Sequence, residues 1–462
     1  MLAKFKKKYI GDWDFYQKYL LLAIPMILQN AITNLVSFLD NIMVGQLGTE
    51  QMSGVAIVNQ LIFVYNLAIF GAVSAASIFG AQYFGKGNHK GHMYSFRFKL
   101  YATLLVTGGA ILLFLTKGSA LISLYLTDTV GNGATDLALQ YGLEYLAIMM
   151  VGLIPFAVNQ SYATNMKETG QTFIPMLASF VAVGTNAILD YLMIFGIGPF
   201  PELGVQGAAL ATVIARYIEA LIVVIWAHIH RGKNRYLEGA YTGFGIPLAE
   251  LKAILIKGFP LMMNEVLWAA GMTTVTQCYS VRGLDVVAGL NIASTITNLF
   301  NIVYLQLGSC ISIVVGQYLG AGKLEDAKDA DNKMIVFSVF CCVIMAALMF
   351  VVGGFFPGIY NTTEEIRELA TSFIAVSAII MPFCAFSHAS YFTLRSGGKT
   401  VVTFLFDSVF TWVIVVPAAY LLAHFTGLGI VSIYFLVQGT ELIKVIIGYL
   451  MVKSNVWVVQ MV

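Results

Sequence analysis

Twelve apolar stretches, each long enough to cross a lipid bilayer, dominate this 462-residue sequence. A membrane helix needs roughly 20 apolar residues, and lipid offers the backbone no hydrogen-bonding partner, so these stretches predict helices. Charged residues make up only 11% of the chain, well below the share in a soluble domain. The predicted spans cover about 17–43, 54–80, 98–116, 137–163, 172–197, 204–229, 252–280, 286–314, 333–353, 367–393, 400–423 and 429–451.

Lysine and arginine are unevenly distributed between alternate loops. If the N-terminus lies in the cytoplasm, 21 of the 26 basic residues fall on the cytoplasmic side. Cytoplasmic loops of membrane proteins carry such an excess. Only Lys117, Arg282 and Arg367 fall outside, while Arg216 and Lys444 lie within helices. An even number of spans then returns the C-terminus to the cytoplasm.

The two halves of the sequence repeat one another. A shift of 235 residues superposes Pro25 on Pro260, and it superposes the segment QYFGKG at 82–87 on QYLGAG at 317–322. Each half has an even number of spans, so both halves begin on the same side of the membrane. The halves are therefore parallel repeats, an arrangement that suits alternating access by two similar lobes.

The predicted fold is an all-α membrane protein. Its twelve transmembrane helices form two parallel-repeat six-helix lobes around a central cleft. The N-terminal lobe covers 1–230 and the C-terminal lobe covers 252–462. The polar, basic segment 231–251 between them reads as a cytoplasmic linker.

Two aspartates inside predicted spans are candidates for an ion-coupling site. Asp40 lies in the first span and Asp190 in the fifth, and both spans run outward, so the carboxylates lie at similar depth. Ionisable residues within the membrane are costly and mark ion pathways, and two adjacent carboxylates attract a proton or a cation such as Na⁺. A purely structural hydrogen-bonded cluster is the alternative. Asn186, Asn159, Tyr141 and Thr212 are candidates to complete the site.

A third acid lies in the second half. Glu265 is midway along the seventh span, where the repeat partner in the first span is Asn30. It is a candidate for a substrate site or a second cation site. His388 in the tenth span either pairs with Glu265 or is an inert polar residue.

Two further pairs of charges are interpreted as structural. Arg216 with Glu219, and Glu441 with Lys444, stand three residues apart on single helices. That spacing places the two side chains on one face, so each pair is predicted to neutralise itself.

Four motifs run in order along nearly the whole chain. They are the twin Gln-Tyr-x-Gly-x-Gly loops, Asn186-x-x-x-Asp190-Tyr191, Gly204-Val205-x-Gly207-Ala208-Ala209 and Pro260-x-x-x-x-Glu265-x-x-Trp268. As an ordered set they resemble the multidrug and toxic compound extrusion (MATE) family. The resemblance implies V-shaped twelve-helix antiporters that export small organic cations against H⁺ or Na⁺ entry. It also implies a monomer in the inner cell membrane, with Asp40 and the Asn186–Asp190 pair forming the cation site of the N-terminal lobe.

Other classes of function fit the sequence less well. A flippase for a lipid-linked oligosaccharide shares the two-lobe plan, but its cleft would need several basic residues for pyrophosphate. A channel would not need duplicated lobes with buried acids. No convergent nucleophile or metal set suggests an enzyme, no cofactor is expected, and a net charge of +2 gives no field for nucleic acid. The five cysteines include no CxxC pair and predict buried thiols.

Overall fold

The computed structural model describes residues 8–126, 132–243 and 245–462, apart from the side chains at 36–39 and 132–134. Over these residues the chain is helical, and twelve helices are long and apolar enough to cross a membrane, which confirms the predicted number. The first six are α1 (Trp13–Gly45), α2 (Thr49–Lys86), α3 (His89–Ser123), α4 (Asn132–Glu168), α5 (Phe173–Ile194) and α6 (Val205–Ile229). The second six are α7 (Leu248–Ser280), α8 (Leu284–Gly320), α9 (Leu324–Gly353), α10 (Glu364–Ser396), α11 (Thr400–Phe425) and α12 (Ile430–Lys453).

Several helices extend well beyond the predicted spans. α3 begins at His89, whereas hydropathy placed its start near 98. Hydropathy reports only the part of a helix that crosses lipid, and a helix satisfies its own backbone beyond that limit. The extra turns of α3 are buried: Met93 and Phe96 pack against Tyr236 and Leu237 of the segment between α6 and α7.

α11 departs from regular α-helical geometry. It contains two π-helical turns, Leu405–Val409 and Thr411–Val415. Such turns are uncommon and concentrate at functional sites, because the widened turn redirects side chains. Asp407 lies within the first of them.

The chain divides into two compact units. One contains the described part of 1–23, the segment 81–88 and all of 252–462, and the other contains 24–80 and 89–251. The cytoplasmic linker predicted at 231–251 belongs to the second unit. The predicted lobes, 1–230 and 252–462, stay a prediction.

In the first unit, the repeated glycine loops meet each other. A Cβ atom on Gly85 would collide with the carbonyl oxygen of Gln317, and one on Gly320 would collide with that of Gln82. The shift of 235 residues maps Gln82 onto Gln317 and Gly85 onto Gly320. The two contacts are therefore equivalent under the repeat. Glycine is required because the two backbones touch.

The segment 456–462 packs against the same place. Gln82 accepts a hydrogen bond from the backbone N–H of Met461 (2.8 Å) and donates one to the carbonyl of Ser396 (2.9 Å). The amide of Gln460 donates to the carbonyl of Gly320 (3.0 Å). Trp457 is 1% exposed. The place where the backbones at Gly85 and Gly320 touch their partners, called the glycine crossing below, is thus covered by the segment that follows α12.

In the second unit, Arg97 holds the linker. Its guanidinium donates hydrogen bonds to the carbonyl oxygens of Gly239 (2.6 Å), Ala240 (2.9 Å) and Gly245 (2.7 Å). A planar guanidinium presents several donors in a fixed fork, so one side chain satisfies three backbone acceptors. The linker is therefore a docked segment in this part of the structure.

Candidate functional site

The carboxyl groups of Asp40 and Asp190 lie in contact with each other. Asp40 is five residues from the C-terminal end of α1, and Asp190 is four residues from that of α5. Asp190 is 1% exposed. Asp40 Oδ1 and both carboxyl oxygens of Asp190 are buried with no hydrogen-bond partner among the described residues. The structure thus brings together two acids whose oxygens lack donors, an arrangement that favours uptake of a positive charge.

Two of the predicted neighbours lie beside this pair. Asn186, one turn before Asp190 on α5, lies next to its carboxyl group. The Asn186 amide donates to the hydroxyl of Thr212 on α6 at 3.4 Å. These contacts link α5 and α6 beside the Asp40–Asp190 pair.

The neighbour from α4 differs from the one predicted. No hydrogen bond of the Tyr141 hydroxyl is seen in the described part of the chain, and its ring packs against the apolar core of the unit. Tyr145, one turn further along α4, is an electrostatic neighbour of both aspartates, and its hydroxyl contacts Asn59 of α2 at 3.4 Å. The sequence analysis did not predict Tyr145 as a neighbour of the aspartates, although its spacing of four residues from Tyr141 places both side chains on the same helix face.

Asn159 has a different acidic partner. Its amide lies beside the carboxylate of Glu219 on α6, which also accepts a hydrogen bond from Ser179 of α5. No ion pair joins Glu219 to Arg216 among the described residues. The guanidinium of Arg216 instead lies over the ring of Phe156, 5.2 Å from its centroid. Arg216 and Glu219 remain electrostatic neighbours, so the two charges of the predicted pair interact without a direct ion pair.

In the second half, Glu265 and His388 do not form a pair in the described structure. Glu265 has Arg395 and Asp407 as its charged neighbours. The Nδ1 atom of His388 lies 3.0 Å from the carbonyl oxygen of Cys384, and its ring packs against Tyr304 with 4.7 Å between centroids.

Asp407, which the sequence analysis did not single out, lies in a network of contacts between α7, α11 and α12. It forms an ion pair with Lys444 of α12 at 2.7 Å and accepts a hydrogen bond from Asn264 of α7 at 3.1 Å. Asn264 also binds the hydroxyl of Ser408 at 2.7 Å, in the π-helical turn. Lys444 therefore forms its ion pair with an acid on another helix, while Glu441, the predicted partner, is an electrostatic neighbour of Lys444.

A fully buried ion pair that the sequence analysis did not predict joins α3 and α4. Lys99 of α3 pairs with Glu168 at the end of α4, and both are at most 1% exposed. Nζ of Lys99 also donates to Asn165 at 2.5 Å, and Nε2 of His92 lies 3.4 Å from the second Glu168 oxygen. Hydropathy could not reveal this cluster, because a lysine lowers the mean hydropathy of a segment by the same amount whether its ammonium group is solvated or paired.

The MatE family model matches residues 25–192 and 260–421 of this sequence. The chain belongs to the MatE family. The matched segments begin at Pro25 and Pro260, the two prolines that the 235-residue shift superposes. Each half of this MatE protein thus carries one copy of the family's domain, and the twelve helices make it a multi-pass membrane protein.

Known proteins of similar sequence and structure agree with this assignment. A probable multidrug resistance protein NorM of Thermotoga maritima is 23% identical over 413 residues, covering 89% of this chain and 86% of the relative. The protein of the same description from Halalkalibacterium halodurans is 24% identical over 413 residues, covering 89% and 88%. A MOP superfamily transporter from Pyrococcus furiosus superposes with a TM-score of 0.85 over 96% of both chains, at 20% identity. The last comparison shows the shared fold.

Proposed function

We propose that this MatE protein is a secondary active multidrug exporter, which moves organic, mostly cationic compounds out of the cell against entry of H⁺ or Na⁺. The contact between Asp40 and Asp190 carries the proposal. Relatives described as probable multidrug resistance proteins support the class of substrate. The protein acts as a monomer in the inner cell membrane, with both termini in the cytoplasm and with no cofactor.

The Asp40–Asp190 pair supplies the coupling. Two ionised carboxylates in contact repel each other, and one proton or one Na⁺ removes that repulsion. Asn186 and Thr212 tie α5 to α6 beside the pair, so a change in its charge alters how these helices pack. An ion drives transport only if it binds two conformations with different affinity, and it then lowers the affinity for the exported compound by the same coupling free energy.

Glu265 is the proposed substrate residue of the second half. It is an acid inside the membrane near Arg395 and Asp407, and an organic cation would be attracted to its carboxylate. His388 faces a different set of charged neighbours, Lys444, Glu441 and Asp407, and contributes less directly.

The test is ethidium efflux from liposomes that contain the purified protein. A pH gradient and a Na⁺ gradient are imposed separately, and the wild type is compared with Asp40→Asn and Asp190→Asn. Asp285→Asn is the matched control, because Asp285 is exposed in the first turn of α8. We expect one gradient to drive efflux in the wild type and the control, and efflux in both site variants to fall to the rate of empty liposomes.

Two outcomes would contradict the proposal. Efflux that persists in Asp40→Asn would place ion coupling elsewhere, with Glu265 as the next residue to replace. Failure of both gradients to move ethidium in the wild type would argue against export of cationic drugs, and lipid-linked or anionic compounds would then be tried.

A further inference from the structure

A second polar contact joins α1 and α5 at a distance from the aspartates. The amide of Gln29 on α1 donates to the hydroxyl oxygen of Ser179 on α5 at 2.8 Å. Eleven residues separate Gln29 from Asp40, and eleven separate Ser179 from Asp190. Eleven residues make close to three helical turns and span about 16 Å, so the same two helix faces meet twice.

A half-buried carboxylate completes this second contact. The hydroxyl of Ser179 donates to Glu219 of α6, and the amide of Asn159 on α4 lies on the same carboxylate. Four helices, α1, α4, α5 and α6, therefore contribute oxygen-bearing side chains to one connected set of contacts. The cluster lies about three turns from Asp40 and Asp190, toward the N-terminal ends of α1 and α5, and is called the inner cluster below.

The inner cluster holds an acid with no cation paired to it in the described structure. Arg216, one turn from Glu219 on α6, is an electrostatic neighbour of that carboxylate but forms no ion pair with it among the described residues. The guanidinium of Arg216 donates to the carbonyl of Gly152 at 3.4 Å and lies over the ring of Phe156. Lys167 is a further electrostatic neighbour of Glu219. A carboxylate in a low dielectric is strongly disfavoured unless a positive charge accompanies it.

Two oxygens of the inner cluster are also unused. Gln29 Oε1 and Asn159 Oδ1 are buried without a hydrogen-bond partner among the described residues. Asn159 is 3% exposed, so water does not readily reach it. A buried oxygen without a donor is costly, and a bound cation satisfies such oxygens as a donor would.

We propose that the inner cluster binds one monovalent, oxygen-preferring cation of the size of Na⁺, at a site separate from the Asp40–Asp190 pair. Its ligands are the side chains of Gln29, Asn159, Ser179 and Glu219. One carboxylate balances one positive charge. Neutral amide and hydroxyl oxygens complete the ligand set, as hard cations prefer.

The site would give this transporter two cation positions along α1 and α5. An ion that leaves the Asp40–Asp190 pair would find the inner cluster on the same helix faces. This inference concerns ion binding alone, so it does not depend on which compound is exported.

The test is equilibrium binding of ²²Na⁺ to the full-length protein in lipid nanodiscs, with no transported compound present. The Asp40→Asn/Asp190→Asn double variant removes the outer acids, and we expect saturable ²²Na⁺ binding to remain. Adding Glu219→Gln should abolish that binding, and adding Ser179→Ala should weaken it by about tenfold. Glu144→Gln is the control, since the Glu144 carboxylate is exposed on α4 and bonded to Gln140 at 2.9 Å and to Gln206 at 3.2 Å.

The proposal is overturned if the double variant binds no ²²Na⁺, or if Glu219→Gln binds it as the control does. A Glu219 that takes up only a proton would give the first of these results. Ser179→Ala and Asn159→Ala keep the inference testable if Glu219→Gln does not fold. Because the assay measures binding, its result is distinguishable from failure of dye efflux.

Discussion

The ammonium group of Lys99 and the carboxylate of Glu168 form an ion pair that is almost completely buried. His92 and Asn165 occupy further polar positions around it. The cluster joins the first turns of α3 to the last turn of α4, so it fixes the packing of these helix ends. A buried pair of this kind is costly to break, because the remaining partner is left charged in a low dielectric.

Lys99→Met should therefore destabilise the protein by about 3–5 kcal/mol. Thermal unfolding of the purified protein in detergent measures the effect. Lys328→Met is the control: Lys328 pairs with Glu325 at 2.8 Å, but the glutamate side chain is 86% exposed. Such an exposed pair contributes less than about 1 kcal/mol. Equal shifts of the unfolding temperature in the two variants would contradict the prediction.

Loss of Arg97 should release the linker. Arg97→Met removes three hydrogen bonds to the carbonyls of Gly239, Ala240 and Gly245, so proteolytic cleavage between 231 and 245 should become faster. Arg97→Lys should be intermediate, because an ammonium group cannot match the guanidinium fork. Lys90→Met, at an exposed position of α3, should be cleaved like the wild type. Cleavage unchanged in Arg97→Met would show that other contacts hold the linker.

The glycine crossing should not tolerate a methyl group. Gly85→Ala and Gly320→Ala each place a Cβ atom against a backbone carbonyl, so both should lower the unfolding temperature clearly. Gly108→Ala and Gly184→Ala are the matched controls, since a Cβ atom at either position meets nothing within 4 Å. The controls should be neutral or stabilised by up to about 1 kcal/mol, as alanine favours helix. A stable Gly85→Ala variant would show that the crossing relaxes.

The segment after α12 should matter for stability despite its small size. Trp457 is 1% exposed, so Trp457→Ala should cost about 3–5 kcal/mol through the cavity that it leaves. Trp13→Ala is the comparison, because Trp13 is 71% exposed and packs little within the protein. Unfolding monitored by circular dichroism should separate the two variants. Similar stabilities would mean that the segment 456–462 is only loosely attached.

Much of the fold could be predicted from the sequence. The number of helices follows from the length of apolar stretches, and the parallel repeat follows from landmarks such as Pro25 and Pro260. The proximity of Asp40 and Asp190 follows from their similar depth on two helices of the same direction. Their part in ion coupling remains a proposal.

The partners of the remaining charges could not be predicted. Spacing along one helix shows which side chains share a face, but inside a membrane each charge is stabilised by whatever lies opposite. Lys444 on α12 thus forms an ion pair with Asp407 on α11. Glu219 accepts a hydrogen bond from Ser179, and it forms no ion pair with Arg216 among the described residues. Asn159 lies beside Glu219 because α4 and α6 pack together, a relationship that a single sequence does not encode locally.

The contact between Gln82 and Met461 has a consequence for biosynthesis. These residues are 379 positions apart, so the ribosome needs roughly 20–75 s to make the chain between them, at about 5–20 residues per second. During that time Gln82, at the end of α2, lacks the hydrogen bond from the backbone N–H of Met461. The contact between Gln82 and Met461 can therefore form only when synthesis of the chain is almost complete. A chain that is released or stalled before Trp457 should lack the segment that covers Gly85 and Gly320, and membrane quality-control proteases should degrade it faster.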